Sequence, residues 1–230
     1  KLICKIIVKE KMHTTVKNLI DIQKKIKHEL SLINNKNLPK IIAVSKTFKI
    51  DKILPLIDHG QVHFGENKVQ EAVDKWTEIK EKKPNIQLHM IGGLQTNKVK
   101  FAVQLFDYIH SVDSQKLAKK IADEQIKVDK HIKIFIQVNL GNENQKSGIK
   151  KNEIKKLVDY CRELKLNIVG FMCIPPVDKD PLNYFNEMNE INHTYGFTEL
   201  SMGMSADYLH AAKKNSTYLR IGSSIFGHRY

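Results

Sequence analysis

The chain has 230 residues, 41% hydrophobic and 27% charged, with 38 Lys and Arg against 25 Asp and Glu and a net charge of +13. That length supports one substantial core, and no apolar run approaches the roughly 20 residues of a bilayer span, so no membrane segment is expected. The basic excess is almost all lysine, spread through every segment, and the only arginines are Arg162, Arg220 and Arg229; a nucleic-acid interface, which favours clustered arginine, is not expected.

Cys4, Cys161 and Cys173 are odd in number and lack paired spacing. Neither a disulfide framework nor a metal site is implied by them, and a reducing, cytoplasmic setting is the expectation. Residues 1–12 fit poorly with the remainder of the chain, and Met12 is a candidate natural start. They read as a leader, a cloning remnant or an unstructured start, with 13–230 as one domain.

Val16, Leu19, Ile20, Ile26, Leu30 and Ile33 recur at helical spacing, so an amphipathic helix is predicted from Val16 to Ile33. Ile41 to Val44 is an unalternating apolar run, the pattern of a parallel strand buried on both faces, and it runs into Ser45, Lys46 and Thr47. A helix from Lys52 to His59 comes next, closed by Gly60. Val62 to Gly65 is strand two, then a helix runs through Val73 and Trp76 to about Glu81. Leu88 to Ile91 is strand three, with a helix around Asn97 to Leu105. Tyr108 to Val112 is strand four, and Asp113-Ser114 caps a helix from Lys116 to Lys127. Ile132 to Leu140 is strand five, succeeded by a polar loop from Gly141 to Gly148 and a helix from Glu153 to Leu164. Ile168 to Ile174 is strand six, stopped by Pro175-Pro176, with a helix from Tyr184 to Tyr195. Glu199 to Gly203 and Tyr218 to Gly222 are strands seven and eight, with a helix from Tyr208 to Lys214 between them and a short one from Ser223 to Phe226 at the end.

Eight strand–helix units without a composition break predict a single (β/α)8 TIM barrel with an extra N-terminal helix. A doubly wound open sheet is the alternative, but no Gly-rich fingerprint opens the first helix. On a barrel the carboxyl ends of the strands share one face and carry the site. Those ends read Lys46, Glu66-Asn67, Gly92-Gly93, Ser111, Asn139, Met172-Cys173, Ser201 to Ser205, and Arg220 to Ser223.

Lys46 alone is most simply the first solvated residue past a strand. A desolvated lysine, however, loses its proton readily, and a neutral amine attacks an aldehyde to give a Schiff base. The loops after strands seven and eight are the usual phosphate site of this fold, and here they are rich in Ser and Gly. Turn and cap roles would account for those residues equally well. A phosphate cradle facing such a lysine suggests pyridoxal 5'-phosphate, which carries both an aldehyde and a phosphate. Arg220, always cationic, would then disfavour protonation of the pyridine nitrogen and weaken the ring as an electron sink.

These segments resemble a known family. Ala43 to Thr47, Phe64-Gly65-Glu66-Asn67 with Val69-Gln70-Glu71, His89 to Gly92, Leu94 to Lys98 and Gln137-Val138-Asn139 carry the likeness. Lys146-Ser147-Gly148, Leu200 to Ser205, Arg220 to Ser223 and Ile225-Phe226-Gly227 extend it. Together, from about Ile41 to the C-terminus, they resemble the pyridoxal phosphate homeostasis proteins (YggS/PROSC-type), whose fold is similar to the barrel domain of alanine racemase. The resemblance implies that Lys46 binds the cofactor and that Arg220 faces the pyridine nitrogen. It places Ser201, Ser205, Gly222 and Ser223 around the phosphate, and Asn67 by the ring. Lys68 stands where the family usually has Tyr, and Leu88 where it often has Trp; both are expected to flank the site.

The expected function is a cytoplasmic, monomeric carrier that holds pyridoxal 5'-phosphate as a lysine Schiff base. It would deliver the cofactor to dependent apoenzymes with little or no turnover of its own. The alternative is a pyridoxal-phosphate-dependent amino-acid racemase, which needs an acid/base on each face of the α-carbon. In alanine racemase an additional domain and the partner subunit supply one of them, and a chain ending at Tyr230 leaves no room for that domain. A cofactor-free Schiff-base lyase would not need Arg220 or the phosphate loops. Among single residues, His89 reads as a hydrogen-bonded core histidine, Cys173 as an inert buried thiol, Met172, Met202 and Met204 as packing, and Glu66 as a loop anchor or a lysine partner.

Overall fold

The computed structural model describes residues 12–141, 143 and 147–227. The leader reading of 1–12 therefore lies outside the described residues except for Met12, and so do Cys4, Lys146 and Arg229. Eight parallel strands among the described residues close into a barrel in sequence order. They are β1 Lys40–Val44, β2 His63–Glu66, β3 Gln87–Met90, β4 Tyr108–Val112, β5 Lys133–Val138, β6 Asn167–Cys173, β7 Glu199–Met204 and β8 Tyr218–Ile221. β1 pairs with both β2 and β8, with Ile42 opposite Arg220 and Ala43 opposite both Phe64 and Ile221.

The helices are α1 Thr14–Ser31, α2 Ile50–Asp58, α3 Val69–Lys82, α4 Val99–Leu105, α5 Gln115–Lys127, α6 Ile154–Glu163, α7 Pro181–Thr194, α8 Tyr208–Lys213 and α9 Ser223–Phe226. α1, the extra N-terminal helix, buries Val16, Leu19, Ile22, Ile26 and Leu30, one stripe at helical spacing. Ser114 caps α5 by accepting from the Leu117 N–H at 3.3 Å, as its sequence predicts. α7 begins at Pro181 rather than at Tyr184, because Asp180 caps Leu182 N–H and a proline is tolerated in the first turn.

Side chains alternate between two cores. The larger lies between strands and helices and contains Phe64, Trp76, Leu88, Ile109 and Phe171. The smaller fills the barrel with Ile42, Val44, Tyr108, Phe135, Met172 and Tyr218. β4 shows the alternation in three residues: Tyr108 and His110 contact the inner aromatics, while Ile109 belongs to the outer core.

The inner core also carries a row of imidazoles. His63 Nδ1 lies 3.0 Å from His89 Nε2, and His89 Nδ1 lies 2.9 Å from His110 Nε2. His110 Nδ1 then lies 2.9 Å from Ser201 Oγ. His89 stacks on Tyr108 at 4.3 Å and His110 on Phe135 at 4.4 Å. His89 is thus the core histidine its sequence context suggests.

Burial pushes His63 down to about 4, helped by the charges of Lys40 and Lys133. Burial likewise holds His89 and His110 well below the ordinary histidine value. Below about pH 6.5 the unfolded chain takes up protons that these folded rings refuse, so stability rises with pH across this window and is lost on acidification. Each such histidine contributes a slope of about 1.4 kcal/mol per pH unit. The urea midpoint is therefore expected to fall steeply from pH 6.5 to 5, above the range where carboxylates titrate. A flat profile there would show that the histidine row is protonated or absent in solution.

Candidate functional site

Lys46 owes its position to a buried carboxylate. Glu66, at the end of β2, is fully buried, and its Oε1 accepts from Ser45 Oγ at 2.8 Å, Lys75 Nζ at 2.9 Å and Trp76 Nε1 at 2.9 Å. Lys75 Nζ also donates to Ser45 O at 2.9 Å and to Glu71 Oε1 at 3.0 Å. The end of β1 is thereby tied to β2 and to the first turns of α3. Glu66 is the lysine partner its sequence position allowed. Its Oε2 has no hydrogen bond among the described residues.

The chain turns sharply after Lys46. Thr47 has φ 66°, a left-handed conformation that costs a β-branched residue most. Its N–H donates to Glu71 Oε1. Burial would raise the Glu71 carboxyl, but that N–H and Lys75 outweigh it and hold the group below its ordinary value. The strained turn is thus held by a carboxylate that stays ionised.

At the carboxyl ends of the strands lies a cavity of about 530 Å³. Lys46, Asn67, Ser205, Arg220, Gly222 and Ser223 line it, with Val44, Ile91, Ile174 and Met204 supplying apolar walls. Among its described lining residues none is acidic, whereas two are cationic. Ser205 Oγ accepts from Gly222 N–H and Ser224 N–H, both at 3.3 Å, which joins the β7 loop to the start of α9. Gly92 passes so close that a Cβ there would lie 2.4 Å from Asn67 O, so the loop carrying Asn67 settles only against a glycine.

Arg220 is buried and doubly anchored: Nη1 donates to Ser201 Oγ at 2.7 Å and Nη2 to Cys173 O at 2.9 Å. Burial pulls the guanidinium below its ordinary value, partly offset by Cys173 and Asp207, yet arginine keeps its proton. Burial pushes the Cys173 thiol up to about 12, which leaves it inert, as expected.

Six of the seven residues selected from sequence share this cavity. Ser201 does not: it is fully buried, and its hydroxyl is taken by Arg220 and His110. The register explains the difference. Ser201 pairs with Tyr218 and Met204 with Arg220, with a shift between them in a stretch that includes Gly203, whose φ is +90°. One extra residue on β7 sets Ser201 a layer beneath Arg220 and carries Ser205 to the cavity. Leu88, expected beside the site, instead faces the helices in the outer core. Lys68 is exposed just before α3. Met204, read as packing, is a wall of the cavity.

Sequence reasoning missed His110 and Lys75, the supports of Ser201 and of the Lys46 turn. The inward parity of His110 with Tyr108 was a readable signal; nothing local singled out Lys75 from its many lysine neighbours.

Residues 20–230 match the family described as the alanine racemase N-terminal domain. The pyridoxal phosphate homeostasis protein of Haemophilus influenzae is 35% identical over 224 residues, covering 92% of this chain and 94% of that one. The protein of that name from Escherichia coli K12 is 35% identical over 199 residues, covering 82% and 85%. The structure of PipY from Synechococcus elongatus PCC7942, solved with PLP bound, superposes with a TM-score of 0.77 at 32% identity, covering 88% of this chain and all of that one.

Replacing Thr47 by glycine removes the cost of the left-handed turn and should raise stability by up to about 1 kcal/mol. Urea unfolding reads it. A lower midpoint would mean that the threonine side chain, rather than the backbone, determines the turn.

Proposed function

Because the chain belongs to the family of pyridoxal phosphate homeostasis proteins, we propose that it binds pyridoxal 5'-phosphate in the cavity at the strand ends, covalently through the Lys46 amine. The observation that carries this reading is a cavity, with no acidic group among its described lining residues, that sets Lys46 and Arg220 beside Ser205, Gly222 and Ser223. Two cations and two hydroxyls without a carboxylate suit an anionic ligand, and an amine among them suits an aldehyde. When bound, the cofactor supplies that aldehyde and an aromatic ring able to delocalise charge.

The chain's own residues divide the work. Ser205, Gly222 and Ser223 hold the phosphate, with Ser205 already fixed by two backbone N–H groups. Asn67 borders the ring. Arg220 directs its guanidinium at the pyridine nitrogen, and because it keeps its own protons it leaves that nitrogen unprotonated. Ser201 acts one layer down, as the acceptor that orients Arg220.

The protein then serves as a holder and supplier of the cofactor, with apoenzymes as recipients and with little turnover of its own. A racemase needs a second proton-handling group across from the lysine. Among the described residues lining the cavity there is no histidine, tyrosine, cysteine or carboxylate to serve as one.

Borohydride treatment of the loaded protein is expected to leave one adduct, on the peptide containing Lys46, and Lys46→Ala to abolish it. An adduct on another lysine overturns the assignment. Ser205→Ala should weaken retention by about 1.5–3 kcal/mol, the worth of one hydrogen bond to a charged acceptor, and pyridoxal without its phosphate should bind poorly to the unaltered protein. Equal affinity for the two would remove the phosphate site. Incubation with L-amino acids in deuterated water should give at most slow α-proton exchange by NMR. Inversion to the D-form at about 1 per second or faster would establish a racemase instead.

A further inference from the structure

The opposite, N-terminal mouth of the barrel holds a second cavity, of about 570 Å³, between α1 and the starts of β1 and β2. Lys24, Lys27, Lys40 and His63 belong to its polar wall, Ile20 and Leu38 to its apolar wall, and none of its described lining residues is acidic.

Lys24, Lys27 and Lys40 concentrate positive charge on this wall, and Glu199 is the carboxylate that lies toward Tyr218 and Lys133 behind it. Lys40 Nζ donates to Tyr218 Oη at 3.2 Å and lies 5.1 Å from that ring's centre. Lys133 Nζ donates to Tyr108 Oη at 3.0 Å and lies 5.0 Å from that ring's centre. The two hydroxyls are themselves 3.0 Å apart. Two ammonium groups therefore converge on a hydrogen-bonded pair of phenols. Of the carboxylates acting on this mouth, Asp107 is ion-paired with Lys80, and Glu199 acts on Tyr218 and Lys133.

The histidine row ends in the same cavity, and its proton positions are set by one bond at the other end. Arg220 can only donate, so Ser201 Oγ accepts from it. Ser201 is fully buried and His110 Nδ1 is the one acceptor its hydroxyl has among the described residues, so the hydroxyl proton goes there, which places the His110 proton on Nε2, facing His89 Nδ1. His89 in turn donates from Nε2 to His63 Nδ1. His63 is left with its proton on Nε2, a nitrogen with no acceptor among the described residues, on a ring that lines the mouth cavity. The row thus presents an N–H donor beside Lys40.

We propose that this mouth is a binding site for a small oxyanion, a phosphate or a carboxylate carried on an apolar body, and that the histidine row conveys its occupancy to Arg220. Lys40 and the His63 N–H hold the oxyanion, Lys24 and Lys27 attract it, and Ile20 and Leu38 cover the apolar part. An anion accepting from His63 polarises each bond of the row in the direction it already runs. The oxygen of Ser201 becomes a better acceptor, and Arg220 is held more firmly. The mouth site stands independently of the cofactor; its regulatory meaning rests on Arg220 facing the bound ring.

The test uses holo-protein with the cofactor fixed by borohydride, so that phosphate cannot enter the other cavity. The protein carries ¹⁵N-labelled histidine and is titrated at constant ionic strength with inorganic phosphate, then with benzoate. Saturable shifts of the His63 nitrogens by either probe, weakened about fivefold or more, the lower end of usual site couplings, in Lys40→Met, are expected. Which probe binds more tightly tells phosphate from apolar carboxylate. Linear shifts with both, or shifts unchanged in Lys40→Met, overturn the site. His110 nitrogens should move with the same midpoint as those of His63. They should stop responding in His89→Phe, which keeps a ring against Tyr108, and in His89→Gln as a second variant. A static His110 in the unaltered protein, or a response surviving both variants, overturns the coupling. Failure of the borohydride adduct to form would count against the cofactor reading alone, because the benzoate titration can be repeated on untreated protein.

Discussion

A carboxylate with no exposure to water sets the conditions for everything around Lys46. Glu66 could not be buried in the barrel wall without partners, because an unpartnered buried carboxyl group is costly. Lys75, Trp76 and Ser45 supply them, and each reaches in from a different position along the chain. Satisfying one carboxylate therefore fixes the end of β1, the end of β2 and the first turns of α3 relative to one another. The strained Thr47 turn is tolerated because the same lysine also steadies Glu71. Removing one member would leave the others buried and unpaired, which is why such a cluster is kept or lost as a unit.

Arg220, on the strand paired with β1, is organised on the same principle. Its two anchors, Ser201 and the carbonyl of Cys173, come from β7 and β6, so three adjacent strands determine where the guanidinium points. The one-residue bulge in the stretch that includes Gly203 makes this possible, because it separates the serine that supports Arg220 from the serine that faces the cavity. Two residues of similar chemistry, four positions apart, thus serve at different depths.

The architecture was legible because buried parallel strands leave a strong mark. Ile41 to Val44 is an unbroken apolar run, Ile132 to Leu140 carries Ile, Phe, Val or Leu at six of its nine positions, and each is succeeded by a helical stripe. Boundaries were less legible where a cap competes with propensity, as at Asp180-Pro181. The cavity was legible because a barrel delivers every strand end to one face, so six of the seven selected residues meet there. Ser201 was misplaced because a bulge leaves no sign in a single sequence beyond a glycine, and Ser201-Met202-Gly203 reads equally well as an unbroken strand. The histidine row was invisible for another reason. His63, His89 and His110 lie on three different strands, and only the stagger of the closed barrel brings their rings into line.

Closure of the sheet also bears on how the molecule meets others. β1 pairs with β8 as fully as with its sequence neighbour, so the ladder has no first or last strand. An open sheet offers a row of unpaired amides on which a foreign strand, or a misfolded copy, can assemble. Among the described residues that template does not exist once the barrel has formed. Any protein that docks on this one must recognise the side chains of helices and loops, and the hazard of strand-templated aggregation is confined to the interval of folding before β8 reaches β1.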